Sequence, residues 1–217
     1  PLGWGFFERP YTWRFNADGS VTETELWCQG EYGLMRSTDG VRSIGYSFGD
    51  WDDPSYQEYW GPAPTPRVPA GATFSYSAVG MGMVLGTLNG HATAWNAGEP
   101  IDMNPPGASS STVYAAADGQ SVGVAHFGGM SAAIVWGGTS AQAVTNLGTG
   151  GSVTAASRGV QVGALGNHAS LWAGNSASRV DLHMLLPATF TSSIATGVWL
   201  DQTNDEIVVT GAGFKTL

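Results

Sequence analysis

The chain has 217 residues, 32 of them glycine and only 12% charged, a composition that allows a sizeable core with many tight turns and little solvated helix. Its formal net charge is −9 and Lys215 is its only lysine, so it lacks the basic stripe that binds nucleic acids. The single cysteine, Cys28, permits neither an intrachain disulfide nor a cysteine-based zinc site, and no apolar run reaches the ~18 residues that membrane insertion requires.

The first residues, Pro1-Leu2-Gly3, do not show the basic-then-apolar pattern of a signal peptide. The chain begins at Pro rather than Met, so these three residues are either the remnant of a removed tag or the start of a chain from which a signal was cleaved. The residues alone leave both interpretations open.

Two short motifs alternate along the chain with a period near forty residues. One is a small-residue turn that leads to an apolar pair and a glycine, as in "ASRGVQVG". The other is a short strand that closes on tryptophan, as in "NHASLW". In chain order the motifs end at Trp13, Gly45, Trp60, Gly86, Trp95, Gly123, Trp136, Gly163, Trp172 and Gly211.

Each repeat unit predicts several short β-strands separated by turns, because segments rich in valine, alanine and aromatics are broken by Gly, Asn or Ser. Units of this length are typical of β-propeller blades, whose sheets are buried on both faces. We predict an all-β single domain over residues 1–217, a five-bladed propeller in which N- and C-terminal strands close one blade. A fragment of a larger propeller is the rival interpretation.

The segment "VQVGALGNHASLWAGNSASRVDLHMLLPATFTSSIATGV" resembles the bacterial HAF-type repeat, which runs from a Val-Gly strand through His-Ala-x-x-Trp to an Asp-Leu strand. The resemblance is good over residues 155–198, fair over 78–154 and poor over 1–74. It implies a propeller-like bacterial protein that is secreted or located at the cell surface. It implies no reaction, so it informs the fold more than the function.

His91 and His168 occupy matching positions, four residues before a repeat tryptophan, and both segments end in an apolar-Asp-apolar triplet. Repetition favours a structural hydrogen bond, with the backbone at a strand end as the expected partner, over a pair of ligands. His126 and His183 do not share that position, and no zinc-binding spacing is present. The five repeat tryptophans are predicted to be buried between blades.

The candidate site lies in "GYSFGDWDDPSYQEYW", residues 45–60, which we interpret as an insertion in the second unit. Aromatic faces beside fixed carboxylates suit a sugar ring or a cationic peptide side chain. One alternative is a solvated acidic turn with no binding role. A calcium site is a further alternative, although the spacing of the aspartates lacks the EF-hand order. The predicted ligand-binding residues are Tyr46, Asp50, Trp51, Asp52, Asp53, Tyr56 and Tyr59.

The sequence therefore predicts a non-catalytic binding module for a glycan or a surface partner, with no cofactor and no catalytic residue. A propeller glycosidase or lyase is an alternative, since such enzymes need only two facing carboxyl groups. A structural domain of a larger surface or fibre assembly is another. The carboxylates considered for such a site, most of which fall in turn-like polar stretches, are Glu8, Glu31, Asp118, Asp181, Asp201 and Glu206.

Overall fold

A computed structural model describes residues 11–16, 18–26, 32–39, 41–48, 56–62, 64–201 and 206–215. The first nine strands of this part are β1 (Tyr11–Phe15), β2 (Val21–Glu25), β3 (Tyr32–Thr38), β4 (Ser43–Phe48), β5 (Tyr56–Trp60), β6 (Phe74–Gly80), β7 (Met83–Leu88), β8 (His91–Asn96) and β9 (Glu99–Asp102). The others are β10 (Ser110–Ala117), β11 (Gln120–Phe127), β12 (Met130–Gly137), β13 (Val144–Thr149), β14 (Gly151–Ser157), β15 (Val160–Leu165), β16 (His168–Trp172), β17 (Val180–Asp181), β18 (Ser192–Asp201) and β19 (Glu206–Phe214).

The strands form a β-propeller, which confirms the all-β prediction. Four antiparallel sheets of the described residues, β3–β5, β6–β9, β10–β13 and β14–β17, lie in a ring as blades. The first strands of successive blades contact one another, β3 with β6, β6 with β10 and β10 with β14. Helix is limited in this part of the chain to two 3-10 turns, Ser176–Ser178 and Leu182–Leu185, so no described helix is long and apolar enough to span a membrane.

The predicted number of blades was five, one more than the four sheets of three or four strands. The sequence count followed the glycine motif, whose fifth copy lies in the two-stranded hairpin β18–β19. A second two-stranded hairpin, β1–β2, is formed by the N-terminal strands. Counting glycine motifs therefore counts hairpins, including a hairpin whose sheet has fewer strands than a full blade.

The repeated glycines all lie opposite a β-bulge. In β3, β6, β10, β14 and β18 one extra residue shifts the register, and the paired strand carries a repeat glycine at that point. A Cβ there would overlap a backbone carbonyl oxygen of the bulged strand, that of Thr112 in the case of Gly123. Close backbone approach thus explains why the motif tolerates only glycine.

The repeat tryptophans fill the spaces between blades, as predicted, where their side chains are described. Trp95, Trp136 and Trp172 are at most 2% exposed, and Trp60 is half-buried. The indole N–H of Trp136 donates to the Met103 carbonyl at 2.9 Å, and that of Trp95 donates to a carbonyl 28 residues earlier. These two bonds fix the third strands of the second and third blades, β8 and β12, to the segment that precedes each blade.

One rim of the ring carries the turns between the second and third strands of the blades and also the linkers between blades. In three blades the second and third strands are joined by residues 89–90, 128–129 and 166–167. Because neighbouring strands are antiparallel, these turns lie at the same end as the inter-blade linkers 103–109 and 182–191. We call this end the linker rim. The end of β4 at Phe48 and the start of β5 at Tyr56 lie at the same rim.

Candidate functional site

The seven predicted binding residues divide into two groups. Tyr46 lies in β4, and Tyr56 and Tyr59 lie in β5. These three tyrosines are therefore in the strands of a hairpin rather than in an inserted loop. The other four, Asp50, Trp51, Asp52 and Asp53, lie outside the described residues, so a ligand or calcium site built from them stays a prediction.

Tyr46 is held beside a cation at the bulge of β3. The Arg36 Nη1 donates to the Tyr46 hydroxyl at 2.6 Å, and its guanidinium carbon lies 5.9 Å from the centre of the Tyr46 ring, within the range of a cation–π contact. Leu34, directly opposite Tyr46 on β3, is 53% exposed. Blade β3–β5 therefore presents an aromatic, a cationic and an apolar group close together.

Tyr59 has a packing role that the sequence did not reveal. It pairs with the buried Ile44 across β4 and β5 and packs against the core between the first two blades. Its hydroxyl donates to the Pro62 carbonyl at 2.9 Å. The cleft between Tyr59 and Trp95 has a volume of only about 40 Å³, enough for a few water molecules. Tyr59 therefore joins blades rather than lining a ligand-sized pocket.

The β4–β5 connection differs from its counterparts in length. Seven residues, 49–55, join these strands, whereas two residues make the equivalent turn in each of the other three blades. A two-residue turn offers few side chains that could contact a ligand. Binding residues concentrate in longer connections held by a rigid scaffold. The length difference supports the choice of this segment as the candidate site.

The repeated histidines hydrogen bond to the repeated aspartates. The His91 Nδ1 lies 3.0 Å from the Asp102 carboxylate, and the His168 Nδ1 lies 2.8 Å from that of Asp181. The predicted repeated bond is present, but the expectation of a backbone partner was wrong. The actual partner is the aspartate of the recurring apolar-Asp-apolar triplet, so the repetition of this triplet in the sequence indicated the pairing.

The pair in the fourth blade sits within a larger polar cluster. Arg179 donates to Asp181 at 3.2 Å, and the rings of His168 and His183 stack with centroids 4.1 Å apart. The His183 Nδ1 lies 2.8 Å from the hydroxyl of Ser193 on β18. This cluster therefore joins the fourth blade to the hairpin β18–β19. No group of three metal-ligating side chains suited to a metal ion occurs among the described residues.

Partial burial of the Asp181 carboxylate opposes its ionisation. The hydrogen bond with His168 and the charges of His168 and Arg179 favour the charged form more strongly, so the pKa of Asp181 lies below its ordinary value. Stabilisation by this carboxylate is complete above the unfolded-state pKa of about 3.9. It is lost as the pH falls through the lower folded-state pKa.

We expect Asp181→Asn to lower the free energy of unfolding at neutral pH by about 1–2 kcal/mol, because a charge-assisted hydrogen bond is lost. Urea denaturation of parent and variant over a range of pH measures this difference, which should vanish in acid once the parent carboxylate is protonated. Asp102→Asn is the matched control, and its effect should be smaller because the Asp102 side chain is 62% exposed. Equal costs for the two substitutions, or a difference that persists in acid, would refute this assignment.

Comparison of the chain with protein-family models, with curated proteins and with solved structures gives no match.

Proposed function

We propose that the chain is a non-catalytic β-propeller binding module that recognises a glycan or a surface partner through the linker rim. The observation that carries the proposal is the β4–β5 connection, which is seven residues long where the other blades have two. It contains Trp51 and three aspartates. A large aromatic face supplies stacking area for a sugar ring or a cation, and carboxylates orient hydroxyl or ammonium groups.

Groups at the base of the connection support the same proposal. Arg36 and Tyr46 are held together beside the exposed Leu34 on strands of the same blade. Because Arg36 and Tyr46 are held by their mutual hydrogen bond, a ligand that contacts them costs less side-chain entropy on binding.

The alternative of a glycosidase or lyase is less well supported. Asp118 lies in the β10–β11 turn, on the opposite rim, and accepts a hydrogen bond from the backbone N–H of Arg158. Asp181 lies at the linker rim and is paired with His168. These two carboxylates do not face each other across a common cleft, as paired glycosidase carboxylates must.

We also propose that β1–β2 and β18–β19 together complete a fifth blade. Two hairpins of two strands supply the four strands of a full blade. The hairpin β18–β19 carries the same bulge and glycine as the four blades. This hairpin carries the exposed apolar side chains of Trp199, Ile207 and Val208. They offer a surface against which β1–β2 and the first blade, β3–β5, can pack.

The attachment of β18 supports this fifth position in the ring. The Ser193 N–H donates to the Asn167 carbonyl, and its hydroxyl accepts from the Ala169 N–H at 2.9 Å. Ser111 at the start of β10 makes the equivalent pair of bonds to the second blade. Closing a fifth blade from both chain ends would remove exposed strand edges.

The resemblance to the HAF-type repeat, and with it a secreted or surface location, remains part of this proposal. It is supported by the two His-Ala-x-x-Trp segments, β8 and β16, in which the histidine and the aspartate of the following strand form one hydrogen-bonded unit.

Trp51→Ala tests the location of the site. On a glycan array, we expect this variant to lose at least about thirtyfold in affinity for glycans that the parent retains, because removing a central aromatic anchor costs about 2 kcal/mol or more. Tyr114→Ala is the control, since Tyr114 is an exposed aromatic at the bulge of β10. A folded Trp51→Ala variant with unchanged affinity would show that the site lies elsewhere.

A further inference from the structure

The third blade lacks the histidine that the second and fourth blades share. His91 pairs with Leu88 and His168 pairs with Leu165, whereas the equivalent position of β12 is Ala132, which pairs with Ala125. A small methyl group thus stands where two other blades carry an imidazole ring.

The aspartate of the pair is replaced as well. Asn146 occupies on β13 the register position of Asp102 and Asp181, and its Oδ1 accepts from the Gly148 N–H at 2.8 Å. Asp102 and Asp181 cap their own strand ends in the same way. In the third blade this local bond spans the bulge at Leu147, because β13 continues to Thr149. The local side-chain bond is therefore kept while the charged partner of the histidine is lost.

The hairpin around the missing histidine is longer than its counterparts. Beyond the Ala125–Ala132 pair, β11 and β12 continue with the pairs His126–Ser131 and Phe127–Met130. In the second blade the strands end at the histidine itself. The two extra pairs place Phe127 and Met130 beyond Ala132, where they form an apolar wall.

The result is an open hollow of about 190 Å³ on the linker rim. Its lining residues are Phe127, Met130, Ser131, Ala132, Asn146 and Thr149. A volume below the ~300 Å³ of pockets for drug-sized ligands admits a single ring. None of these six side chains is charged, so the hollow suits a neutral ligand.

We propose that this hollow binds one neutral sugar ring. The Phe127 and Met130 side chains offer an apolar surface to the C–H face of the ring. The Asn146 amide can donate two hydrogen bonds, and the Thr149 hydroxyl can donate or accept. The site lies in the third blade and is separate from the β4–β5 connection, so it extends the proposed function to a second sugar subsite on the same rim.

The proposal is tested by titrating the isotope-labelled protein with methyl β-D-glucopyranoside, methyl β-D-galactopyranoside and methyl α-D-mannopyranoside while recording amide NMR shifts. For one or more of them we expect shifts at Ser131, Ala132, Asn146 and Thr149, with dissociation constants in the millimolar range typical of so small a ligand. Ala132→His introduces the side chain that the second and fourth blades carry. It should fill the hollow and weaken binding at least about tenfold.

Gln142→His is the matched control, because Gln142 is exposed on the β12–β13 turn at the opposite rim, and it should bind like the parent. Should Ala132→His fail to fold, Phe127→Ala removes the apolar wall and should also lose binding. Trp51→Ala should leave these shifts unchanged, which separates this site from the β4–β5 connection. Absence of shifts with all three glycosides, or shifts that persist in Ala132→His, would overturn the proposal.

Discussion

Deletion of residues 205–217 is expected to abolish most of the stability of the protein. The deletion removes β19, the partner of β18 over its whole length. Ala195 of β18 is 1% exposed and packs against the fourth blade. Loss of the partner strand therefore also disturbs core packing. Because a domain has only about 5–15 kcal/mol of net stability, removing a strand and the proposed fifth blade should leave no cooperative thermal transition near that of the parent.

Thermal unfolding followed by circular dichroism provides the measurement. A chain that lacks only residues 216–217 is the control and should melt with the parent, because β19 ends at Phe214. If the deletion of residues 205–217 melted within a few degrees of the parent, β18–β19 would not contribute to closing the ring and the five-blade proposal would fail.

Gly123→Ala is expected to lower the free energy of unfolding by about 3 kcal/mol or more. The added Cβ would overlap the Thr112 carbonyl oxygen and crowd the Val113 Cα. Both are backbone atoms of β10, so no side-chain rotation can relieve the overlap and the bulge itself must shift. Overpacking that displaces backbone in a buried strand lies at the upper end of the usual range of costs.

Gly137→Ala is the matched control, because the nearest atom to an added Cβ there is 3.6 Å away, an ordinary contact distance. Urea denaturation of the two variants should show a large loss of stability for Gly123→Ala and a change of about 0.5 kcal/mol or less for Gly137→Ala. Similar values for both would mean that the repeat glycine has no special role at the bulge.

The positions of the repeated elements could be predicted from the sequence, because each is tied to a residue type with few substitutes. Gly123 and its counterparts mark the second strand of each blade, and Trp95, Trp136 and Trp172 mark the third. What the spacing of motifs could not reveal was the bulge that makes glycine necessary, since the extra residue lies on the partner strand.

Side-chain partners were harder to predict than positions. The bond between His168 and Asp181 joins residues 13 apart, and only the register of β16 and β17 brings them together. Tyr59 illustrates the same difficulty. In the sequence it belongs to an aromatic cluster around Trp51, but strand alternation turns it towards Ile44 and the neighbouring blade.

The hollow in the third blade was missed for a different reason. The repeat pattern consists of what the units share, whereas this feature arises where Ala132 and Asn146 depart from the pattern. A comparison of units position by position would have located the substitution, but the two extra pairs of the β11–β12 hairpin that wall the hollow follow from the register of the strands.

The central claim, a binding module without catalysis, is tested most directly by one panel of glycans used in two ways. The parent protein is applied to the immobilised panel to measure retention, and it is incubated with the same glycans in solution to measure released products. We expect retention of at least one glycan, with no product above the level found without protein. Release of sugar or of an unsaturated product would contradict the claim and favour a glycosidase or lyase, and retention of no glycan would contradict glycan recognition.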